Sequence, residues 1–222
     1  MQIKPLFTFL AVLARHNERP WFQERKAVYD QLRGPFEEDA EYWARGLAQL
    51  DPLLAGPEAR KSLFRIYRDV RFSKNKDPYK THFSAFFTAG PSKVIDSPGY
   101  YLQLGPNGQT LIAAGLYQPD KAQLAAIRQE IDYHADELRA LLAAPDFRHF
   151  FGPLGGERLK KAPAGYPADH PEIELLRHKE FVAVHALTDA QVLAHPDFRA
   201  HVLAGFAAAV PLCQFLRRAV AG

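Results

Sequence analysis

Apolar side chains recur at helical spacing through the first fifty residues of the chain. This spacing predicts three helices, which run from Leu6 to His16, from Trp21 to Leu32 and from Phe36 to Leu50. The pair Gly34-Pro35 is expected to end the second helix, because proline lacks a backbone N–H and clashes with the preceding turn. The chain is therefore predicted to begin with a helical block.

Polar and apolar positions then alternate with a period of two, which is typical of half-buried strands. In Phe64–Phe72 the even positions are mostly apolar and the odd positions are mostly charged. Further strands are predicted at His82–Thr88, Gly99–Leu104 and Thr110–Tyr117, and a charged loop at residues 73–78 separates the first two strands. The turn before the last strand contains Asn107-Gly108, a pair that hairpins favour.

Helical spacing returns after Pro119-Asp120, which is expected to cap a long helix that ends near residue 143. The remaining predicted elements are a short helix from Glu172 to His178, a strand from Phe181 to His185, and a helical segment from Ala190 to Val220 with a break near Pro196. Helices and strands thus occupy separate blocks of the chain.

Separate blocks of this kind favour an α+β fold over a doubly wound parallel one. We expect an antiparallel sheet of about four to five strands with helices packed on it. No Gly/Ser-rich or Pro-rich linker divides the 222 residues, so a single domain over residues 1–222 is predicted.

The composition narrows the classes of protein to which the chain can belong. Its one cysteine, Cys213, rules out an internal disulfide and fits a reducing compartment such as the cytoplasm. No uninterrupted apolar run approaches the ~18 residues of a membrane span, so no membrane partner is expected. The nine histidines show no metal-binding spacing, and neither a metal nor a cofactor is predicted.

Positive charge is concentrated in one segment of the chain. The net charge of the whole chain is +3, whereas residues 60–82 hold eight basic and two acidic residues, which gives +6 there and leaves −3 elsewhere. The basic residues are Arg60, Lys61, Arg65, Arg68, Arg71, Lys74, Lys76 and Lys80. A local cluster of this kind suits a site for one anionic group better than a broad nucleic-acid surface.

The same segment combines arginines with aromatic rings. Arginine binds phosphate or carboxylate through two parallel hydrogen bonds, and lysine adds a point charge. On a strand, Arg65, Asp69 and Arg71 would share one face, whereas Arg68 would point to the apolar face, where a charge needs a partner. Rings beside such cations suit an anionic ligand with a flat ring, such as a nucleotide. The candidate ligand-binding residues are Arg65, Arg68, Asp69, Arg71, Lys76, Tyr79, Lys80, His82 and Tyr101.

A second candidate lies in residues 152–171, a long connection rich in glycine and proline. It contains Lys160 and Lys161, and a glycine-rich backbone with lysines can cradle a phosphate. Neither of the two common phosphate-binding glycine motifs is present, so a plain surface loop is the alternative interpretation. Lys160 and Lys161 join the candidate ligand-binding residues.

The basic segment also carries a family-like motif, formed by Arg65, Arg68, Asp69, Arg71, Phe72, Asn75, Lys76 and Tyr79. Together with Phe9-Leu10, Trp21-Phe22 and residues 159–171, it resembles a bacterial family of domains of unknown function that also occurs at the carboxyl termini of some fungal proteins. The resemblance spans nearly the whole chain. It implies no activity, but it implies that the basic segment defines the family, which favours a functional role there.

Three hypotheses for the function follow. The first is a small-molecule site, binding or catalytic, for an anionic and phosphate-bearing ligand, with His82 available as an acid or base. The second is a nucleic-acid-binding module, in which cations contact phosphates and tyrosines stack on bases. The third is a structural or protein-interaction domain with a buried arginine network. The pattern names no catalytic residue and leaves enzymatic activity and oligomeric state open.

Overall fold

The computed structural model describes residues 2–54, 59–89 and 97–221. The helices are α1 (Ile3–Arg15), α2 (Arg19–Glu24), α3 (Lys26–Leu50), α4 (Ala59–Ser62), α5 (Lys121–Ala143), α6 (Pro145–Phe150), α7 (Ile173–Leu176), α8 (Asp189–Ala194) and α9 (Phe198–Ala221), with a 3₁₀ turn at Pro52–Leu54. The strands are β1 (Phe83–Thr88), β2 (Gly99–Leu104), β3 (Thr110–Leu116) and β4 (Phe181–Leu187).

The four strands form one open antiparallel sheet in the order β1-β2-β3-β4. Helices precede and follow the strands in separate blocks, so the predicted α+β fold is confirmed. The predicted bounds of the first three of these strands agree with the observed ones to within one residue, and β4 extends two residues farther than predicted. Locally encoded strands with clear turns were therefore predicted well.

The chain divides into two compact units. The first comprises Met1–Phe87, Tyr101–Ile112 and Ala186–Leu203, and the second comprises Thr88–Tyr100, Ala113–His185 and Ala204–Gly222. Each unit is assembled from three separate stretches of chain. A single domain over residues 1–222 stays a prediction.

Helix α3 of the first unit continues through Gly34-Pro35, so the predicted break there is wrong, and the chain instead breaks at Arg25, between α2 and α3. The side chain of Arg33 bridges the turns around the proline, because Nε donates to Glu37 at 2.8 Å and Nη1 donates to the Tyr29 hydroxyl at 2.9 Å. The buried face of α3 is formed by Tyr29, Phe36, Asp39, Ala40, Trp43 and Leu47. Packing of this face offsets the ~3 kcal/mol that an internal proline costs a helix.

The predicted strand Phe64–Phe72 is wrong, because this part of the chain makes only isolated bridges, of Leu63 with Ala85 and of Tyr67 with Tyr79. The segment starts as an extended neighbour of β1, where the N–H of Phe64 donates to the Ser84 carbonyl at 3.0 Å. It leaves that course at Asp69, because this carboxylate accepts hydrogen bonds from both the backbone N–H and the guanidinium of Arg71. A local side-chain interaction thus overrides the alternating pattern.

The hairpin between β2 and β3 has the predicted Asn-Gly turn. Asn107 and Gly108 have positive φ values of 61° and 70°, and the N–H of Gln109 donates to the Pro106 carbonyl at 3.3 Å. These features define a type I′ turn, whose twist matches that of the flanking strands. The carboxylate of Asp189 accepts from the N–H groups of Asn107 and Gly108 at 2.8 and 2.9 Å, which fixes the turn in place.

In the second unit, α5 begins at the predicted cap, because Asp120 accepts from the N–H of Gln123 at 2.8 Å and its own N–H donates to the Gln123 side chain at 3.0 Å. The helix is kinked at His134, whose φ and ψ of −130° and 37° are not helical. Cys213 is buried in α9 with its sulfur 3.6 Å from the Gly99 carbonyl, in the manner of a small core residue.

Helix α9 is the one helix in the described part of the chain that has the length and composition to cross a membrane. Half of its most apolar window is buried, which is also typical of the core helix of a soluble protein. The expectation that no stretch approaches the apolar length of a membrane span did not anticipate a helix of this length and composition. A cytoplasmic location stays a prediction.

Candidate functional site

The basic segment of the first unit folds back on itself as a short hairpin, which we call the basic hairpin (residues 63–82). Backbone hydrogen bonds join its arms: the N–H of Arg68 donates to the Pro78 carbonyl at 2.9 Å, and the N–H of Lys80 donates to the Ile66 carbonyl at 2.7 Å. Residues 69–77 form the tip of the hairpin. The segment therefore presents its charges from two arms and a tip rather than from one strand.

The first arm of the basic hairpin has two faces. Its even-numbered residues form an inner face, on which Ile66 is buried and Phe64 and Arg68 are half-buried. Arg65 and Tyr67 lie on the other face, which we call the outer face, and both are exposed, although Tyr67 also contacts the buried rings of Phe22 and Tyr79. This alternation follows from extended backbone, in which successive side chains point to opposite sides.

Arg68 holds the tip of the hairpin from the inner face. Its guanidinium donates to the Asp77 carbonyl at 3.3 Å and to the Ser73 hydroxyl at 3.4 Å. The predicted need for a partner on this face is thus met by neutral oxygen atoms. Neither of these two acceptors carries a charge.

Asp69 and Arg71 form an exposed ion pair at the tip. The Nε and Nη2 atoms of Arg71 donate to the two oxygens of Asp69 at 3.0 and 2.7 Å, and this pairing lowers the pKa of Asp69 to about 2. The two charges therefore balance each other. Arg65 and Arg71 are exposed and Arg68 is half-buried, so these arginines do not form the buried network that the third hypothesis requires.

Lys76 and Tyr79 have structural contacts. The Nζ atom of Lys76 donates to the Val70 carbonyl at 2.9 Å, which closes the tip. Tyr79 is 2% exposed and stacks on Phe22 with ring centroids 4.1 Å apart. The amide of Asn17 accepts from the N–H of Tyr79 at 3.0 Å and donates to its carbonyl at 2.9 Å. Tyr79 is therefore part of the core and does not line a ligand site.

Lys80 and His82 lie half-buried on the second arm. The Nζ atom of Lys80 lies 4.9 Å from the centroid of the Phe64 ring. Burial and the positive charges of Lys80 and Arg68 lower the pKa of His82 to about 4, against a hydrogen bond with Gln109 that raises it. The imidazole is neutral at neutral pH, and both of the charges that act on it are positive. We call Arg68, Lys80 and His82 the inner cluster.

Tyr101 of β2 lies beside Phe64, with ring centroids 6.2 Å apart. Its hydroxyl donates to the Gln103 side chain at 3.1 Å, and burial raises the pKa of the phenol. The Gln103 amide in turn donates to the Gln109 carbonyl at 2.8 Å. The sequence analysis missed Phe64, Gln103 and Gln109, because neutral side chains carry little functional signal. The two-residue spacing of Tyr101 and Gln103 on one strand face was the signal that could have found Gln103.

Lys160 and Lys161 belong to the second unit, and both are exposed. Their loop is tied to the rest of that unit, because the N–H of Gly155 donates to the Val182 carbonyl at 3.0 Å and other backbone bonds follow. The loop is an ordered surface connection. Its role as a phosphate cradle stays a prediction.

The second unit also contains a cavity of about 520 Å³ beside the kink of α5. The Nε2 atom of His170 lies 2.9 Å from Asp132, and its Nδ1 atom accepts from the N–H of Glu172 at 3.1 Å. Arg139 binds both Asp136 and Glu172. Both nitrogens of His170 and the guanidinium are thus engaged within the protein, so this cavity is a weaker candidate than the inner cluster.

Comparison with family models gives a match over most of the chain. No curated protein and no solved structure matches the chain significantly. In the part of the chain that the structure describes, no group of three or more His, Cys, Asp or Glu side chains is placed to hold a metal ion. The model of the family described as conserved hypothetical protein (DUF2461) matches residues 5–215, which supports the expectation of a family of unknown function, whereas the defining motif and the distribution of the family stay predictions. The chain therefore belongs to the DUF2461 family of conserved hypothetical proteins.

Proposed function

We propose that the chain binds a small anionic molecule that carries a phosphate group at the inner cluster. The observation that carries the proposal is the charge of this cluster. Arg68 bonds two neutral acceptors, and both charges that act on the imidazole of His82 are positive. Both Arg68 and Lys80 act on the imidazole of His82, so an anion bound beside this ring would be attracted by both charges.

Each member of the inner cluster has a distinct role in the proposal. Arg68 offers a planar pair of donors that fits phosphate oxygens, and Lys80 adds a point charge. The present acceptors of Arg68 lie at 3.3 and 3.4 Å, at the long end for hydrogen bonds, so a charged oxygen would be a better partner. His82 would donate to the anion once it is protonated, and the rings of Phe64 and Tyr101 would contact a flat group of the ligand.

The proposed set of ligand-binding residues is smaller than the set that the sequence suggested. Asp69 and Arg71 balance each other, Lys76 is bonded to a backbone carbonyl, and Tyr79 is buried. We assign none of these four to the anion. Arg65 is exposed on the outer face and contributes long-range attraction rather than direct contact.

A thermal-shift panel tests the proposal. It contains pyrophosphate, common nucleotides and sugar phosphates, and we expect at least one of them to raise the melting temperature. A ligand at 100 times its Kd adds ~2.7 kcal/mol, which corresponds to roughly 5–10 °C for a domain of this size. Lys80→Gln should abolish the response, because it removes one charge of the inner cluster and keeps most of the side chain.

Arg71→Gln is the matched control, because it removes one positive charge from the same hairpin at a side chain that already has a carboxylate partner. It should keep the ligand response of the wild type. No stabilising anion in the panel, or an equal loss of response in Lys80→Gln and Arg71→Gln, contradicts binding at the inner cluster.

A further inference from the structure

Phe72 at the tip of the basic hairpin is 96% exposed, more than any other large apolar side chain in the described part of the chain. A ring of this size would bury a large apolar area in a core, and here it meets water on nearly all sides. Exposed aromatic residues on loops are typical of binding surfaces. The proposed anion site at the inner cluster does not use Phe72.

The tip that carries Phe72 is held in one conformation by its own hydrogen bonds. The N–H of Asp77 donates to the Asn75 side chain at 2.8 Å, and Lys76 donates to the Val70 carbonyl at 2.9 Å. The guanidinium of Arg71 also donates two hydrogen bonds to the carboxylate of Asp69 within the tip. A loop ordered before binding loses less entropy when it binds, which favours a functional presentation of the ring.

Basic side chains lie on both sides of Phe72 along the chain. The guanidinium of Arg71 lies 5.8 Å from the Phe72 ring centroid and is balanced by Asp69, whereas Lys74 is exposed two residues farther along the chain and Arg65 is exposed on the first arm. Tyr67 adds a second ring that is 44% exposed, and the rest of that ring packs against Phe22 and Tyr79, with ring centroids 6.2 and 5.4 Å away. Exposed rings together with cations are typical of surfaces that bind single-stranded nucleic acids. Bases stack on the rings, and the backbone phosphates contact the cations.

We propose that the tip and outer face of the basic hairpin bind single-stranded nucleic acid, with bases stacked on Phe72 and Tyr67 and backbone phosphates near Arg65 and Lys74. A protein pocket is the less favoured partner, because burying Phe72 there would also remove its charged neighbours from water. A duplex is less favoured too, because its base faces are already stacked. The binding does not depend on the inner cluster.

The test is fluorescence anisotropy of a labelled U12 RNA at low salt. We expect saturable binding, with a slope of log K against log salt between about −1.4 and −2.1, as for two to three phosphates. Phe72→Ala should weaken binding roughly 5- to 150-fold through the lost stacking, and Phe72→Trp should restore it. Because Phe72 is almost fully exposed, neither change should affect folding, which the melting temperature checks.

Tyr133→Ala is the control for the ring, since Tyr133 is 68% exposed and belongs to the second unit. Lys121→Gln is the control for charge, since Lys121 is also exposed there. Both should bind U12 like the wild type. The proposal is overturned if Phe72→Ala binds as tightly as the wild type, if an RNA duplex of equal length binds equally well, or if the chain binds phosphatidylserine-containing vesicles but not U12.

Discussion

His82 lies half-buried beside two cations, and both burial and charge disfavour its protonated form. Its pKa falls to about 4 in the folded chain, whereas an unperturbed histidine titrates near ~6.5. The folded chain therefore keeps the ring neutral over a range in which the unfolded chain would protonate it. This difference links proton binding to folding, and an anion bound beside the ring would reverse it.

The first prediction at this scale concerns stability against pH. Because the folded pKa is lowered, the unfolded chain binds the proton first as the pH falls, so stability is lost from about pH 6.5 down to about pH 4. The loss over this window is roughly 3 kcal/mol for the one group. Urea unfolding of the wild type and His82→Gln at pH 7 and at pH 4.5 measures it, and the difference between them isolates His82 from other titrating groups. Parallel pH profiles for the two proteins would contradict the assignment.

At the scale of the secondary-structure element, the sequence predicted best those features whose hydrogen bonds join residues only a few positions apart. The Asn107-Gly108 turn and the Asp120 cap were predicted because their backbone bonds are local. The continuation of α3 through Pro35 was missed, because it depends on the packing of a whole helix face against distant residues. The strand predicted at Phe64–Phe72 failed for the opposite reason. One local hydrogen bond, from the N–H of Arg71 to the carboxylate of Asp69, outweighed the alternating pattern of the whole segment.

The candidate site was predicted in part for similar reasons. Charge density along the chain identified the basic hairpin and its residues Arg68, Lys80 and His82. It did not show which side chains are paired or buried, and so Arg71 and Tyr79 were grouped with the candidate ligand-binding residues although Arg71 is paired and Tyr79 is buried. Side-chain geometry decides which charges are already balanced by a partner. The order of residues along the chain does not show this geometry.

A pair of glycine substitutions tests the packing of two elements. Gly115 of β3 has a φ of 125°, and a Cβ there would lie 2.0 Å from the Phe181 backbone oxygen, so Gly115→Ala should destabilise the fold by at least about 3 kcal/mol. Gly34 lies inside α3 with open space around it, so Gly34→Ala should stabilise the fold by about 0.5–1 kcal/mol. Denaturant unfolding of both variants measures the two effects. A tolerated Gly115→Ala, or a destabilising Gly34→Ala, would show that the local backbone differs from the one described.

At the scale of the whole molecule, family membership extends over residues 5–215 and carries no activity with it. The function must therefore be argued from the chemistry of the surface. The basic hairpin concentrates that chemistry, with the inner cluster on one side and Phe72 at the tip. The net charge is +6 over residues 60–82, which include this hairpin, against −3 over the rest, so an anion is attracted most strongly to this part of the chain.

The most direct measurement is the pKa of His82 by NMR, with and without saturating sulfate, in the wild type and in Lys80→Gln. Sulfate mimics a phosphate group and keeps its charge across the titration. Binding beside the imidazole should raise the pKa of His82 from about 4 towards its ordinary value, and the rise should be lost in Lys80→Gln. A pKa of His82 that sulfate leaves unchanged, or changes equally in both proteins, would contradict an anion site at the inner cluster.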